Sequence, residues 1–138
     1  MNFQKPTYTY RVKEVTKYVD GDTIDVLLDV GFKIHVHKRL RFLDFDASEV
    51  RGKSDLVEAH GRAATRRLEE LLSSADAVYV QTVMDAEGKY GRVLAHVLIE
   101  NGGELESVNQ RLVAEGFSSD ADQATMTHLV ERYGTMHK

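Results

Sequence analysis

Hydrophobic residues change their spacing twice along this chain, and those changes constrain the fold more than any other feature. Between positions 8 and 45, apolar side chains alternate with polar ones, which is the pattern of strands that bury one face. Short runs containing Asp and Gly interrupt the alternation, as turns do. Three strands are therefore predicted, over Tyr8–Val15, Thr23–Leu28 and Ile34–Phe45.

The first change is to helical spacing. Apolar residues then recur with the period of a helix, at Leu56, Ala59, Ala63, Leu68 and Leu71. Asp55 and Glu58 have the spacing of a capping box, which satisfies free backbone amides where a helix begins. These features predict a helix over Asp55–Leu72.

The second change returns to strands, which are predicted over Val78–Val83 and Val93–Ile99. Two short helices should follow them. Ser107 and Gln110 would cap the first of these helices, which would end at Gly116. Asp120 and Gln123 would begin the second.

An order of five strands with a helix between the third and the fourth is typical of a small Greek-key barrel. We therefore predict an α+β protein that is mainly a β barrel, namely a five-stranded OB-fold barrel with three α-helices. A length of 138 residues suits one domain, and no linker or repeat divides the chain, so a single domain over residues 1–138 is expected. Fold alone does not give function.

Composition excludes several classes of site and partner. The chain has no cysteine, which excludes disulfides, zinc–thiolate sites, iron–sulfur clusters and a cysteine nucleophile. Its net charge of −4 excludes a strongly basic nucleic-acid binder but leaves a local basic site open. No apolar run approaches the roughly 18 residues of a membrane helix, and Met1–Lys13 lacks the apolar stretch of a signal peptide. We expect no membrane contact, and a cytoplasmic location in preference to secretion.

Carboxylates and guanidinium groups occur near the ends of the predicted strands. Asp22, Asp46 and Glu49 would repel one another if they clustered, unless a cation neutralised them. Oxygen ligands without thiols favour calcium, magnesium or manganese. Arg41 and Arg92 offer forked donors that match phosphate oxygens, so the set as a whole suggests phosphoryl chemistry. Each motif alone is common in ordinary turns and solvated strands, and only their order and spacing together indicate a function.

Taken together, the motifs resemble those of the staphylococcal nuclease-like (thermonuclease) family. The resemblance covers about Tyr8–Phe117 and rests on Val19–Ile24, Arg39–Glu49, Gly61 with the following helix, Lys89–Ala95, Val108–Asn109 and Leu112–Val113. The family places its first arginine five residues before its second metal aspartate, and its general-base glutamate three residues after it. Arg41, Asp46 and Glu49 satisfy both spacings. A regular strand would place positions 41 and 46 on opposite faces, so both reach one site only if the strand bends or ends between them.

The resemblance implies a calcium site and a catalytic base. Asp22 and Asp46 would bind Ca2+ through their carboxylates. The backbone carbonyl of Ala47 would be a third protein ligand, with water completing the shell. Glu49 would orient or deprotonate the attacking water.

The resemblance also implies the groups that bind phosphate. Arg41 and Arg92 would stabilise charge on the scissile phosphate, and Lys89 and Tyr90 would contact a neighbouring one. The implied enzyme is a calcium-dependent nuclease that hydrolyses DNA and RNA, cuts the bond to the 5′-oxygen and leaves 3′-phosphates. Its substrate would be single-stranded or frayed, with little sequence preference, and we expect a monomer.

Three departures from the family pattern keep alternatives open. Ser48 stands where members commonly have proline, which would restrict the turn between Asp46 and Glu49, and serine leaves that turn looser. Asp44 adds a carboxylate that could raise metal affinity or repel phosphate. The stretch 117–122 lacks the aromatic residues on which some members stack a base. The alternatives are a catalytically weak or inactive OB-fold module that binds nucleic acid, and a protein-interaction scaffold.

Overall fold

The computed structural model describes residues 8–51, 54–83 and 93–134. Within these ranges the chain forms six strands: β1 (Tyr8–Asp20), β2 (Thr23–Asp29), β3 (His35–Phe42), β4 (Ala77–Thr82), β5 (Val93–Asn101) and β6 (Glu104–Ser107). It also forms three α-helices: α1 (Asp55–Ser73), α2 (Val108–Ala114) and α3 (Gln123–Leu129), the last continued by a π-helical turn over Val130–Gly134. The predicted order of strands and helices is confirmed, with one strand added.

Five of the strands close into a barrel. Neighbouring strands pair in the order β3-β2-β1-β4-β5, and all of these pairs are antiparallel. β3 then pairs with β5 in parallel, through Leu40–Phe42 and Val93–Ala95. This last pairing joins the two edges of the sheet, so the result is a closed mixed barrel with three helices. The predicted α+β fold of the OB type is therefore confirmed.

The sixth strand is the element that the sequence pattern does not predict. Gly102 and Gly103 reverse the chain after β5, with φ angles of 59° and 83° that favour glycine. Glu104–Ser107 consequently pairs back on Leu98–Asn101. Most residues of β6 are exposed, so no alternation of apolar and polar residues marks the strand in the sequence.

The third strand is shorter than predicted. It ends at Phe42 and not at Phe45, so its predicted C-terminal boundary was wrong. The reason is Asp44, whose backbone has the left-handed conformation with a φ of 58°. Aspartate tolerates that conformation in a turn, but a strand cannot contain it.

The residues that cap the helices were only partly predicted. Ser107 accepts a hydrogen bond from the amide three residues later at 3.2 Å, which confirms the predicted start of α2. Helix α1 is capped by Ser54 and not by Asp55, and α3 is capped by Asp122 and not by Asp120. In each case the capping residue has extended backbone angles that leave its side chain facing the free amides.

Helix α1 packs against β1 and against the C-terminal helical segments. Its buried face carries the predicted small and aliphatic residues together with a histidine: His60, Gly61, Ala63, Ala64, Leu68, Leu71 and Leu72. Inside the barrel the buried side chains come from alternate strand positions, among them Ile24, Val26, Leu40, Val80 and Val97. In the part of the chain that the structure describes, no helix is both long and apolar enough to cross a membrane.

Charged side chains link α1 to α2. Glu115, directly after α2, accepts hydrogen bonds from Arg67 of α1 at 2.8 and 2.9 Å and from Arg111 at 2.6 Å. The hydrogen bonds from Arg67 lower the pKa of Glu115, with a smaller contribution from Arg111. The guanidinium of Arg67 also lies 5.7 Å from the ring centre of Tyr133. These contacts hold the C-terminal segments against α1.

Candidate active site

The turn between β1 and β2 presents a buried carboxylate. Asp22 is 8% exposed, and both of its oxygens have partners. Oδ1 accepts a hydrogen bond from the hydroxyl of Thr23 at 2.9 Å, and Oδ2 accepts one from the amide of Ala47 at 2.8 Å. Oδ2 also lies 2.7 Å from Nη1 of Arg41. The Asp22 carboxylate is thus fixed by a neighbouring hydroxyl, a distant backbone amide and a positive charge.

Arg41, near the end of β3, joins two carboxylates. Its Nη1 atom contacts Asp22 and also donates to the carbonyl of Phe45 at 3.3 Å, while Nη2 pairs with the carboxylate of Asp46. The turn at Asp44 ends the strand between positions 41 and 46. The strand therefore ends between positions 41 and 46, as is needed for both side chains to reach one site. The chain after β3 turns back and brings Asp46 to Arg41.

The segment Asp46–Glu49 has no regular secondary structure, apart from an isolated bridge at Ala47, and is held by the chain that follows α2. The amide of Ser119 donates to the backbone carbonyl of Asp46 at 2.8 Å. Ala47 forms an isolated β-bridge with Ser118. Together with the hydrogen bond that the Ala47 amide donates to Asp22, these contacts fix the segment from two sides.

Two glycines allow α1 to approach the site closely. A Cβ atom on Gly21, in the turn before Asp22, would lie 2.7 Å from the Cβ of Ala64 in α1. A Cβ atom on Gly61, within α1, would lie 2.5 Å from the backbone carbonyl oxygen of Ser48. A Cβ atom is not tolerated at such distances, so both positions require glycine. These close contacts let α1 pack directly against the β1–β2 turn and against the segment that contains Ser48.

These loops line one cleft with a volume of about 570 Å³. Its lining includes five of the predicted site residues, namely Asp22, Arg41, Asp46, Ala47 and Glu49. The side chains of Asp46 and Glu49 are exposed to solvent, whereas Asp22 and Ala47 are buried. The structure therefore brings together residues from the β1–β2 turn, the end of β3 and the segment after it.

Asp20 lines the same cleft, although no sequence pattern assigns it a role beyond a turn. Burial raises the pKa of Asp20, and the nearby carboxylates of Asp22 and Glu49 raise it further, while Arg41 opposes the shift. The cleft therefore concentrates negative charge around the guanidinium of Arg41. The signal that could have found Asp20 is its position two residues before Asp22, separated only by a glycine.

His60 is a second residue that sequence reasoning missed. It is fully buried in α1, where its Nδ1 lies 2.7 Å from Oγ of Ser48 and its Nε2 lies 3.0 Å from the carbonyl oxygen of Gly116. Its ring stacks on Phe117 with ring centres 6.0 Å apart. Burial lowers the pKa of His60, and the bond to Gly116 opposes that shift. Ser48, where a looser turn was expected, is 2% exposed and hydrogen-bonded.

Of the other residues singled out in the sequence, the structure places Asp44 outside the cleft and does not describe three more. Asp44 is exposed and is not among the residues that line the cleft; it borders a separate depression beside His96. Lys89, Tyr90 and Arg92 lie outside the described residues, so their placement remains a prediction.

Comparison with known protein families identifies the family of this chain. The family described as staphylococcal nuclease homologue matches residues 39–135, a range that includes Arg41, Asp46 and Glu49. The chain belongs to this family. The membership predicted from the order and spacing of the motifs is thereby confirmed.

Three curated relatives of this staphylococcal nuclease homologue come from Bacillus subtilis (strain 168). Endonuclease YncB is 33% identical over 100 residues, which cover 72% of this chain and 43% of the relative. The SPbeta prophage-derived endonuclease YokF is 31% identical over 100 residues, which cover 72% of this chain and 31% of the relative. Endonuclease YhcR is 33% identical over 109 residues, which cover 75% of this chain and 8% of the relative. The chain thus spans less than half the length of the curated relatives it matches.

Proposed function

We propose that this chain is a calcium-dependent phosphodiesterase that hydrolyses DNA and RNA as an endonuclease. The observation that carries the proposal is that Asp22 and Asp46 both pair with the guanidinium of Arg41, in the cleft that Glu49 also lines. Membership of the staphylococcal nuclease homologue family, and the names of three related endonucleases, support the same reaction.

The donor set suits a hard cation. Asp22 and Asp46 reach the same guanidinium, so their carboxylates lie close enough to share one ion. The backbone carbonyl of Ala47 would add a third oxygen, and Ca2+ prefers such ligands together with water. Among the residues that the structure describes, no three His, Asp or Glu side chains are grouped as metal ligands, which is compatible with a site built from two carboxylates, a carbonyl and water. When bound, the ion would polarise a phosphoryl oxygen as a Lewis acid.

Glu49 is the proposed general base. Its exposed carboxylate lines the cleft and can accept a proton from a water molecule as the water oxygen bonds to phosphorus. The bond between phosphorus and the 5′-oxygen then breaks, and that oxygen takes a proton from solvent. One product carries a 3′-phosphate and the other a free 5′-hydroxyl.

Arg41 and Arg92 are proposed to stabilise the negative charge that develops on the phosphate oxygens. A guanidinium presents five N–H donors in a planar fork and stays protonated at working pH, so both residues receive an electrostatic role and not a proton-transfer role. Lys89 and Tyr90 are proposed to contact a neighbouring phosphate. The preference for single-stranded or frayed substrates, the low sequence specificity and the monomeric state remain predictions.

The test is cleavage of denatured DNA by the purified 138-residue chain in millimolar calcium, with a parallel sample containing a chelator. Glu49→Gln and Arg92→Ala should each lower turnover by at least about a hundredfold, which is the scale for removing one group that stabilises a transition state. Glu104→Gln is the matched control, because this exposed carboxylate lies on β6. Near wild-type rates in both active-site variants would contradict the assignment. Salt-sensitive binding of single strands without cleavage would instead support the nucleic-acid-binding module.

A further inference from the structure

Behind the cleft, a path of hydrogen bonds runs from Ser48 through His60 to Gly116. The two bonds measure 2.7 Å and 3.0 Å and join three parts of the chain that are distant in sequence. His60 is fully buried and Ser48 is 2% exposed, so bulk water does not compete for either partner. Buried polar contacts of this kind are strengthened by their low-dielectric surroundings.

The geometry assigns the proton on the imidazole of His60. A backbone carbonyl only accepts hydrogen bonds, so Nε2 carries a hydrogen and donates it to Gly116. Burial lowers the pKa of His60, which keeps the ring neutral at neutral pH and leaves a lone pair on Nδ1. The hydroxyl of Ser48 must then donate to Nδ1, and the direction of that hydroxyl is fixed.

His60 and Gly61 hold the same peptide from one side. A Cβ on Gly61 would lie 2.5 Å from the carbonyl oxygen of Ser48 and 3.0 Å from the carbonyl carbon of Glu49, so the helix backbone touches this part of the chain. Ser48 is therefore restrained both through its side chain and through its backbone. Its two neighbours are Ala47 and Glu49, which carry the proposed metal ligand and the proposed base.

We propose that His60 is a positioning residue that acts through Ser48 to hold Ala47 and Glu49 in their places in the cleft. This inference rests on the proposed function, because the positions of Ala47 and Glu49 affect turnover only if those residues act on metal and substrate. His60 is not among the residues that line the cleft, so it would touch neither the metal nor the substrate directly.

Three variants separate the two hydrogen bonds of His60, and a fourth is a control. His60→Asn keeps an amide group near the place of Nδ1, so it can still accept from Ser48. His60→Gln extends its amide to the place of Nε2, so it can still donate to Gly116 but no longer accepts the hydrogen bond from Ser48. Ser48→Ala removes only the hydroxyl. Ser74→Ala is the matched control, because it deletes a hydroxyl bond to the carbonyl of Glu70 at the other end of α1.

His60→Gln and Ser48→Ala should each lower kcat by about 10- to 100-fold with little change in KM, which is the usual effect of displacing supporting groups behind a site. The double variant should lower kcat no further than either single one, since both remove the same contact. His60→Asn should retain most of the wild-type kcat, and Ser74→Ala all of it. Additive losses in the double variant would overturn the inference. So would losses of kcat that merely follow the unfolded fraction measured by circular dichroism.

A measurement without substrate separates this inference from the nuclease assignment. Amide hydrogen exchange followed by NMR should become faster at Ala47 and Glu49 in Ser48→Ala, while exchange in β4 stays unchanged. The nitrogen spectrum of His60 should show a proton on Nε2 and none on Nδ1 at neutral pH. Unchanged exchange in Ser48→Ala would contradict the positioning role alone. If Ser48→Ala speeds exchange as expected and the nitrogen spectrum of His60 is as expected, but the wild-type protein cleaves no nucleic acid, the proposed function alone would be contradicted.

Discussion

Asn109, at the start of α2, ties the helix to the barrel by hydrogen bonds that can be removed with one substitution. Its side chain is buried, with 2% of the residue exposed, and every polar atom of the amide is used. Oδ1 accepts from the amide of Val97 at 2.9 Å, and Nδ2 donates to the carbonyls of Leu43 at 2.7 Å and Ala95 at 3.2 Å. The contact to Leu43 fixes the chain just before the turn that returns Asp46 to Arg41.

Replacing Asn109 with alanine should leave two of these three partners unsatisfied. The carbonyl of Ala95 keeps a hydrogen bond from the amide of Leu43 at 2.9 Å. The N–H of Val97, which is fully buried, loses its partner at a cost of about 1–3 kcal/mol. The half-buried carbonyl of Leu43 also loses a hydrogen bond, which adds about 1 kcal/mol to that cost. We therefore expect Asn109→Ala to lower the free energy of unfolding by about 3 kcal/mol.

Urea unfolding followed by far-UV circular dichroism measures this loss, because the chain contains no tryptophan for fluorescence. Gln110→Ala is the matched control, since the neighbouring side chain is exposed and its loss should change stability by no more than about 0.5 kcal/mol. Asn109→Asp keeps the shape of the side chain but replaces the donating nitrogen with a carboxylate oxygen that faces two carbonyls. At neutral pH it should therefore destabilise the protein at least as much as Asn109→Ala does. A loss below about 1 kcal/mol for Asn109→Ala, or wild-type stability for Asn109→Asp, would refute the hydrogen-bond argument.

Two further substitutions test how α1 is docked. Gly61→Ala should destabilise the protein despite the better helix propensity of alanine, because its Cβ would lie 2.5 Å from the carbonyl oxygen of Ser48; a variant more stable than wild type in urea would refute this close approach. Glu115→Gln should cost about 2 kcal/mol at neutral pH by weakening the charged hydrogen bonds from Arg67 and Arg111. Because the folded-state pKa of Glu115 is lowered from 4.5, the wild-type advantage should be complete above pH 4.5 and disappear as the pH falls through the folded value, and a difference between variants that does not change with pH would contradict this linkage.

The parts of the fold that were predicted correctly are those whose signal is local. Leu68 and Leu71 repeat at helical spacing because they pack on the same face of α1, and the strands of the barrel alternate because each buries one side. The strand β6 escaped prediction because its residues are mostly exposed, so no buried face imposes a pattern on it. The cap at Ser54 could not be distinguished from one at Asp55, because the choice depends on where the backbone enters the helix and both residues are good caps.

In the candidate site, the grouping of Asp22 with Asp46 was predicted only through the resemblance to the family, because no local spacing gives a pairing across segments. Arg41, Asp46 and Glu49 lie close together in the chain, and their match to the spacing of the family predicted their grouping. The position of Asp22 depends on the register of β2 and β3, which pairs Thr23 with Arg41 and so places the preceding carboxylate beside the guanidinium. No local pattern encodes that register strongly enough to predict a distance between side chains.

The sequence by itself determined the order of strands and helices in the barrel, the family, and the kinds of chemical group available at the loops. Only the tertiary structure decided which of these groups meet. Hydrophobic periods depend on neighbours within one helical turn or two strand positions, so they can be interpreted locally. The bonds of Asp22 to Ala47, of Ser48 to His60 and of His60 to Gly116 span 25, 12 and 56 positions. Their partners are selected when the barrel closes and α1 packs against it, and that event has no local signature in the sequence.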